Sequence, residues 1–213
     1  MNDVEIEMAY DFICPWCWIG HRNLKLALQE AGLPDTIQPT FTPFELNPDM
    51  PPEGMDRRAY RTAKFGSWAR SQAMDAQVTQ LGKQVGLAFN YDRVNVTPNT
   101  RLAHRLMMFA AQSADSARVD ALFEAIFAAY FSNGENIGRA SVLARVAASV
   151  GFDAAEVERY LLGDQDLAAF EARLEAVRDG IRAVPSFRVG QHLVQGAQPP
   201  EILSKALRTL VPA

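Results

Sequence analysis

The sequence predicts an α/β protein in which a large all-helical domain is inserted into a smaller sheet domain. Three observations support this: a strand–helix–strand pattern opens the chain, helical patterns fill its middle, and a hairpin followed by a helix closes it. With 213 residues, the chain has room for one domain carrying an insertion. We assign residues 1–50 and 181–213 to the sheet domain and residues 51–180 to the helical insertion.

The opening segment has the pattern of a strand, a helix and a second strand. Residues 4–10 alternate apolar and polar side chains, which is typical of a half-buried strand. A helical pattern begins near Pro15 and ends before Gly32. Residues 36–44 form the second predicted strand, and its two prolines place it at a sheet edge because proline has no N–H for a central ladder.

The middle of the chain is rich in Ala, Leu, Arg and Glu at helical spacing. Asp153 followed by Glu156 is typical of a helix start with a reciprocating partner. Further helices are predicted over residues 68–85, 100–112, 116–131, 141–150 and 164–179.

After residue 180 the pattern returns to strands. Residues 186–189 and 192–195 flank Gly190-Gln191, which predicts a tight hairpin. A last helix begins within residues 197–201 and runs through Leu210. Because both ends of the chain supply strands, we expect them to build one sheet.

Charge and composition exclude several classes of function. A net charge of −4 provides no electrostatic footprint for nucleic acid or for an anionic membrane. Residues 1–7 are acidic rather than basic, unlike a signal peptide, and no apolar run reaches the ~20 residues of a membrane span. We therefore expect a cytoplasmic protein with no nucleic-acid or membrane partner.

The two cysteines of the chain, Cys14 and Cys17, follow the first strand and open the first helix. In a reducing compartment such a pair is more often catalytic or metal-binding than structural. Unpaired N–H groups and the helix dipole favour a thiolate at Cys14, and Pro15 suits the first helical turn. Cys17 is close enough to form a disulfide. We expect Cys14 to be the attacking nucleophile and Cys17 the resolving thiol.

Two other interpretations of the cysteine pair are less favoured. A zinc site needs four ligands, and beside this pair the chain offers only His21, His104 and His192. Inert core cysteines do not account for the strand–Cys-x-x-Cys–helix spacing. We therefore predict no metal site.

Four segments carry a resemblance to a known family. Residues 11–20, Asp-Phe-Ile-Cys-Pro-Trp-Cys-Trp-Ile-Gly, resemble the active-site segment of DsbA-family thiol–disulfide oxidoreductases, in particular the FrnE-like branch. Residues 184–187 resemble the family's cis-proline loop, residues 196–199 the turn before its last helix, and residues 99–105 a part of its helical domain. The resemblance implies a thioredoxin-like fold, a redox-active Cys14–Cys17 disulfide and no bound cofactor.

The resemblance also implies roles for residues near the cysteines. Pro185 would be cis and face the pair, and the cis form of an X–Pro bond costs only ~0.5–1 kcal/mol. The backbone of Val184 would pair with an extended substrate chain. Trp16 supplies an apolar surface without the charge of an imidazolium, so we expect a potential less oxidising than that of the strongly oxidising periplasmic members.

One feature departs from the thioredoxin-like pattern. The acid often found six residues before the first cysteine is replaced by Met8. Asp11 and Glu7 are the nearest acids, and His21 follows Cys17 by four residues on the same helix. All three are candidates for proton transfer, although a capping, solvated or structural role is the favoured interpretation of each.

The favoured function is that of a thiol–disulfide oxidoreductase of the reductase or isomerase type. Its partners would be disulfide- or thiol-containing proteins or small molecules, with glutathione as a candidate co-substrate. The alternative is a glutathione-dependent isomerase or transferase resembling kappa-class glutathione transferases or 2-hydroxychromene-2-carboxylate isomerases, which normally place Ser near the position of Cys14. A third interpretation is a binding or chaperone module with incidental thiols. The substrate, the direction of electron flow and the oligomeric state stay open.

Overall fold

The computed structural model describes residues 5–34, 37–178 and 180–209. Within these ranges the chain forms two compact units, residues 5–44 with 168–209 and residues 45–167. The predicted boundaries at residues 50 and 180 therefore differ from the observed limits. The sequence predicts that the helix at residues 167–178 belongs to the insertion, whereas from residue 168 onward it groups with the sheet unit.

The first unit contains a four-stranded sheet. The described strands of the chain are β1 Ile6–Tyr10, β2 Thr40–Pro43, β3 Met55–Asp56, β4 Val96–Thr97, β5 Ser186–Val189 and β6 His192–Gln195. In the sheet the strands lie in the order β2-β1-β5-β6, with β1 parallel to β2 and antiparallel to β5. The proline-containing strand β2 lies at the edge, and β5 and β6 form the hairpin, as the sequence indicated.

Three helices accompany this sheet: α1 Pro15–Glu30, α8 Leu167–Arg178 and α9 Pro200–Arg208. The Asn23 side chain of α1 donates a hydrogen bond to the Gln198 carbonyl at 2.9 Å, just before α9. The Arg208 side chain donates to the Glu30 carbonyl at 2.9 Å. These two bonds join α1 to both ends of α9. Leu210, where the last helix was expected to end, lies outside the described residues.

The second unit is mainly helical. Its helices are α2 Arg57–Phe65, α3 Trp68–Gln84, α4 Arg101–Ser113, α5 Ser116–Phe131, α6 Ala140–Ala148 and α7 Ala154–Leu162. The expectation of an all-helical insertion needs one correction, because β3 and β4 form a short antiparallel pair. Two-residue strands show no period in a sequence. Helix α2 lies in the part of the chain whose composition predicts helices, although the sequence assigns it no range of its own; its one buried residue is Arg57.

A buried arginine ties α4 to the end of α7. Arg105 is 5% exposed, and its guanidinium donates to four backbone carbonyls at 2.8 to 3.1 Å. The acceptors belong to Tyr160, Leu161, Gly163 and Gln165. Carbonyls at the end of a helix have no intrahelical partner, and a cation there also interacts favourably with the helix dipole. Arg105 therefore satisfies the C-terminal end of α7.

We expect Arg105→Met to lower the free energy of unfolding by about 2–4 kcal/mol, because several buried carbonyls lose their donor. Arg105→Lys should recover only part of this loss, since one ammonium cannot reach four spread acceptors. Urea unfolding measures both changes. Arg118→Met is the matched control, because Arg118 is an exposed arginine of the same unit. An Arg105→Met protein as stable as the control would contradict the assignment.

Candidate active site

The cysteine pair lies at the start of α1, directly after β1. Cys14 is the N-cap residue, with extended backbone at φ −93° and ψ 106°, and Pro15 occupies the first helical turn. The Cys14 N–H donates to the Asp11 carbonyl at 3.0 Å, and the Cys17 N–H donates to the Cys14 carbonyl at 3.0 Å. The chain therefore turns sharply from strand to helix and leaves Cys14 at the helix N-terminus.

The two thiols differ in exposure and in ionisation. Cys14 is 6% exposed and Cys17 is fully buried. Burial raises the pKa of the Cys17 thiol well above its ordinary value, and the hydrogen bond to Cys14 and the charge of Cys14 raise it further. A backbone hydrogen bond from Asp11 lowers the pKa of Cys17 but does not offset burial. Cys14 is therefore the more accessible of the two thiols.

The loop before β5 closes the site on one side. The Val184–Pro185 peptide bond is cis, as the resemblance implied. The Cys14 thiol donates to the Val184 carbonyl at 3.6 Å. The Gly196 N–H donates to the Pro185 carbonyl at 2.7 Å, and the Ser186 hydroxyl donates to the Ala183 carbonyl at 2.6 Å. Both ends of the cis bond are thus held by the hairpin and its flanks.

Gly20 allows the cis-proline loop to approach α1. A Cβ atom at this position would lie 2.9 Å from Cγ of Pro185 and 3.2 Å from the Phe187 ring. A glycine inside a helix costs roughly 0.5–1 kcal/mol relative to alanine, so its place here has a packing reason. The sequence analysis quoted Gly20 only as part of a motif. A glycine in mid-helix was the signal that could have singled it out.

Of the three proton-transfer candidates, Asp11 is the one that the structure brings to Cys17. Asp11 is fully buried, and its carboxylate charge contributes to the raised pKa of Cys17. Glu7 instead accepts from the Thr42 hydroxyl at 2.6 Å and pairs with Arg188 at 3.3 Å.

His21 is also fully buried, and its ring lies 5.8 Å from the Phe41 ring. The remaining predicted site residues, Pro15, Trp16 and Val184, are partly exposed around Cys14. These three positions flank Cys14, the less deeply buried of the two cysteines.

The described part of the chain contains neither a candidate metal centre nor a candidate membrane span. Among the described residues, no cluster of three or more His, Cys, Asp and Glu side chains is arranged to hold a metal ion. In the same part of the chain, no helix combines the length and apolar character needed to cross a membrane.

The fold and the site define a thioredoxin-like protein with a Cys-x-x-Cys pair beside a cis-proline. The family model of the DSBA-like thioredoxin domain matches residues 5–208, and the chain belongs to this family of thiol–disulfide oxidoreductases. The FrnE-like branch stays a prediction.

Two similar proteins share about a quarter of their residues with this chain. The uncharacterized protein YwbO of Bacillus subtilis is 27% identical over 206 residues, which cover 96% of either chain. A probable DsbA oxidoreductase from Streptomyces coelicolor has a crystal structure that is 28% identical, with a TM-score of 0.85. The match covers 97% of this chain and 89% of that one.

Two more distant structures share the fold. The cytosolic disulfide reductase DsbM from Pseudomonas aeruginosa, solved with GSH, is 21% identical with a TM-score of 0.63. The match covers 97% of this chain and 98% of the DsbM chain. A 2-hydroxychromene-2-carboxylate isomerase is 16% identical with a TM-score of 0.71, covering 96% of this chain and 95% of its own.

We expect iodoacetamide to alkylate Cys14 at least on the order of 100-fold faster than Cys17 at pH 8, because Cys14 is 6% exposed whereas Cys17 is fully buried and its pKa is raised. Mass spectrometry of the reduced native protein, followed over time, measures both rates. Cys14→Ser is the control, and its remaining thiol should react only slowly. Equal alkylation of both cysteines in the native protein would contradict the assigned roles.

Proposed function

We propose that this protein is a thiol–disulfide oxidoreductase of the reductase or isomerase type, working through the Cys14-Pro15-Trp16-Cys17 dithiol. The observation that carries the proposal is the position of the Cys14 thiol at a helix N-terminus, 3.6 Å from the Val184 carbonyl and beside cis-Pro185. Cys17 is buried next to it. This arrangement suits attack by one thiol and resolution by the other.

The reaction proceeds through two exchanges. The Cys14 thiolate attacks one sulfur of a substrate disulfide, which forms a Cys14–substrate disulfide and releases the other substrate sulfur as a thiolate. Cys17 then loses its proton and attacks the Cys14 sulfur, which forms the Cys14–Cys17 disulfide and releases the second substrate thiolate. The substrate gains two electrons, and the dithiol loses them. Two glutathione thiols restore the dithiol and leave as glutathione disulfide.

The order of the two steps follows from the ionisation of Cys17. The charge of Cys14 contributes to the raised pKa of Cys17. Once Cys14 is bound to the substrate it carries no charge, so this contribution disappears while burial remains. Cys17 therefore becomes easier to ionise when the mixed disulfide forms, and the buried Asp11 carboxylate is placed to accept its proton.

Substrate recognition in this proposal uses the rim of the cysteine site. Val184 is held beside Cys14, so its backbone can pair with an extended chain that brings a disulfide to the thiol. Trp16 is partly exposed and offers an apolar surface next to the same thiol. The substrates are disulfide-containing proteins or small molecules, and neither a bound cofactor nor nucleic acid takes part.

The direction of electron flow follows from the compartment and the dithiol sequence. Trp16 adds no positive charge beside Cys14, so the reduced form gains less stabilisation than in a strong oxidant. We place the protein in the cytoplasm, where the glutathione pool favours reduction or isomerisation. The fold shared with a cytosolic disulfide reductase solved with GSH agrees with this placement and with glutathione as the co-substrate.

A glutathione-dependent isomerase remains the alternative, because an isomerase shares the fold. Such an enzyme needs one polar group at the position of Cys14 and has no use for a second thiol. Here the buried Cys17 is hydrogen-bonded to Cys14, which favours the dithiol reaction.

We expect Cys17→Ala to accumulate a Cys14–substrate disulfide with oxidised glutathione or a model disulfide protein, because attack proceeds and resolution cannot. Non-reducing gels and intact mass detect this species. Cys14→Ala should form none and should lack reductase activity. If Cys14→Ala and Cys17→Ala both retain activity, the thiols are incidental and a binding or chaperone role replaces the proposal.

We expect Asp11→Asn to slow the resolving step at pH 7 on the order of tenfold or more, because Cys17 loses the group that takes its proton. The loss should shrink as the pH rises, since hydroxide then removes the proton that Asp11 otherwise accepts. Rapid-quench kinetics of the mixed disulfide from pH 6 to 10 measures this. Glu7→Gln is the matched control and should leave the pH profile unchanged. Equal effects of both substitutions would contradict a role for Asp11 in proton transfer.

A further inference from the structure

A cavity of about 440 Å³ lies within the helical unit. This volume is in the range that small-molecule sites occupy. One face of α3 forms a wall, and the start of α2 and the segment at residues 89–93 form the rest. The residues that carry the argument below are Arg57, Trp68, Asp75, Phe89 and Tyr91. The unit with the cysteines supplies none of the lining residues.

A buried cluster with one excess positive charge reaches this wall through Arg57 and Asp75. The other charged lining residues, Asp92 and Arg93, are exposed and carry opposite charges. The Arg57 guanidinium donates to one oxygen of Asp75 at 2.6 Å, and Arg61 donates to the other at 2.8 Å. The side chains of the three residues are only 5%, 16% and 10% exposed. Two guanidinium groups thus share one carboxylate, which leaves the cluster at +1. A buried charge without full compensation is costly, so the cluster favours an anion beside it.

Aromatic rings surround Arg57 but do not neutralise it. Its guanidinium carbon lies 4.9 Å from the centre of the Tyr91 ring and 5.5 Å from that of Trp68. Such contacts stabilise a cation but leave its formal charge in place. Phe89 stacks on Tyr91 at 5.8 Å and continues the aromatic surface.

Tyr91 supplies a second donor at the same wall. Its hydroxyl is buried and has no hydrogen-bond partner among the described residues. Burial raises the pKa of Tyr91 well above its ordinary value, and the charge of Asp75 adds to this while that of Arg57 opposes it. The phenol therefore keeps its proton and can donate. The Asn90 side chain fixes the segment by donating to the Ser132 carbonyl at 2.8 Å.

We propose that this cavity binds a small planar organic anion of the arene carboxylate class. The carboxylate accepts from the Arg57 guanidinium and from the Tyr91 hydroxyl, and the ring lies against Trp68 and Phe89. A guanidinium fork matches the geometry of a carboxylate, and the added negative charge balances the cluster of Arg57, Arg61 and Asp75. The site is separate from the dithiol reaction and does not depend on it.

Calorimetric titration of the full-length protein with 1-naphthoate, 1-naphthamide and acetate tests both parts of the ligand. We expect 1-naphthoate to bind at one site. The neutral 1-naphthamide and acetate, which has no ring, should each bind at least about tenfold more weakly than 1-naphthoate. In nitrogen–proton correlation spectra the indole signal of Trp68, assigned with Trp68→Phe, should shift on addition of 1-naphthoate. The Cys14→Ser protein should bind equally well, which separates this site from the redox reaction.

Tyr91→Phe should weaken the binding of 1-naphthoate about ten- to a hundredfold, which is the usual effect of losing one hydrogen bond to a charged group. Tyr160→Phe is the matched control, since it removes a buried hydroxyl of the same unit that does not line the cavity and lies beside Arg105 rather than Arg57. Arg61→Gln removes the excess charge and should reduce the preference for the carboxylate over the amide. This variant keeps the test decisive if Tyr91→Phe does not fold.

Three outcomes would overturn the proposal. One is no binding of 1-naphthoate at millimolar concentration, and another is equal binding of 1-naphthoate and 1-naphthamide. The third is binding that leaves the Trp68 signal unshifted or that responds equally to the Tyr91 and Tyr160 substitutions.

Discussion

The contact of the Cys14 thiol with the Val184 carbonyl is the interaction on which the active site depends. It joins two positions 170 residues apart in the chain. The register of β1 against β5 makes it possible, because Met8 lies opposite Phe187 and Ala9 opposite Ser186. A shift by one residue would exchange the faces of both strands and separate the thiol from the cis-proline loop. The sheet therefore acts as the frame that positions the two halves of the site.

The second constraint is the difference in environment between two cysteines one helical turn apart. The N-cap position leaves Cys14 next to unpaired N–H groups, whereas Cys17 points into the packed interior. Burial makes the Cys17 thiolate costly, and the charge of Cys14 makes it more so. In the proposed reaction, electrostatics thereby orders attack before resolution, with Asp11 as the nearby buried acid.

Much of the fold could be predicted from local patterns. The hairpin and the residues of α5 agree with the sequence prediction because turn chemistry and helical period are local signals. The pair β3–β4 could not be predicted, since two residues show no alternation. The bounds of α2 could not be predicted within the helical region, since its one buried residue is Arg57 rather than an apolar residue. The grouping of α8 with the sheet unit depends on tertiary packing, which a pattern along the chain does not encode.

The active site shows the same division. Cys14, Cys17 and cis-Pro185 were accessible from motif spacing and family resemblance, whereas sequence distance could not decide between Glu7 and Asp11. The structure distinguishes the environments of these two acids. Glu7 is hydrogen-bonded to Thr42 and Arg188, whereas Asp11 is fully buried near Cys17. The charge cluster around Asp75 combines residues from two helices, α2 and α3, and has no sequence signal.

The redox equilibrium of the Cys14–Cys17 pair in glutathione buffers tests the central claim most directly, with alkylation mass shifts as the readout. The account predicts a reversible two-electron transition with a potential near or below roughly −220 mV, as for a reductase or isomerase. A potential near about −120 mV would contradict the proposed direction of electron flow. If no intramolecular disulfide forms at any ratio of reduced to oxidised glutathione, Cys17 is not a resolving thiol and the glutathione-dependent isomerase takes the place of the proposed function.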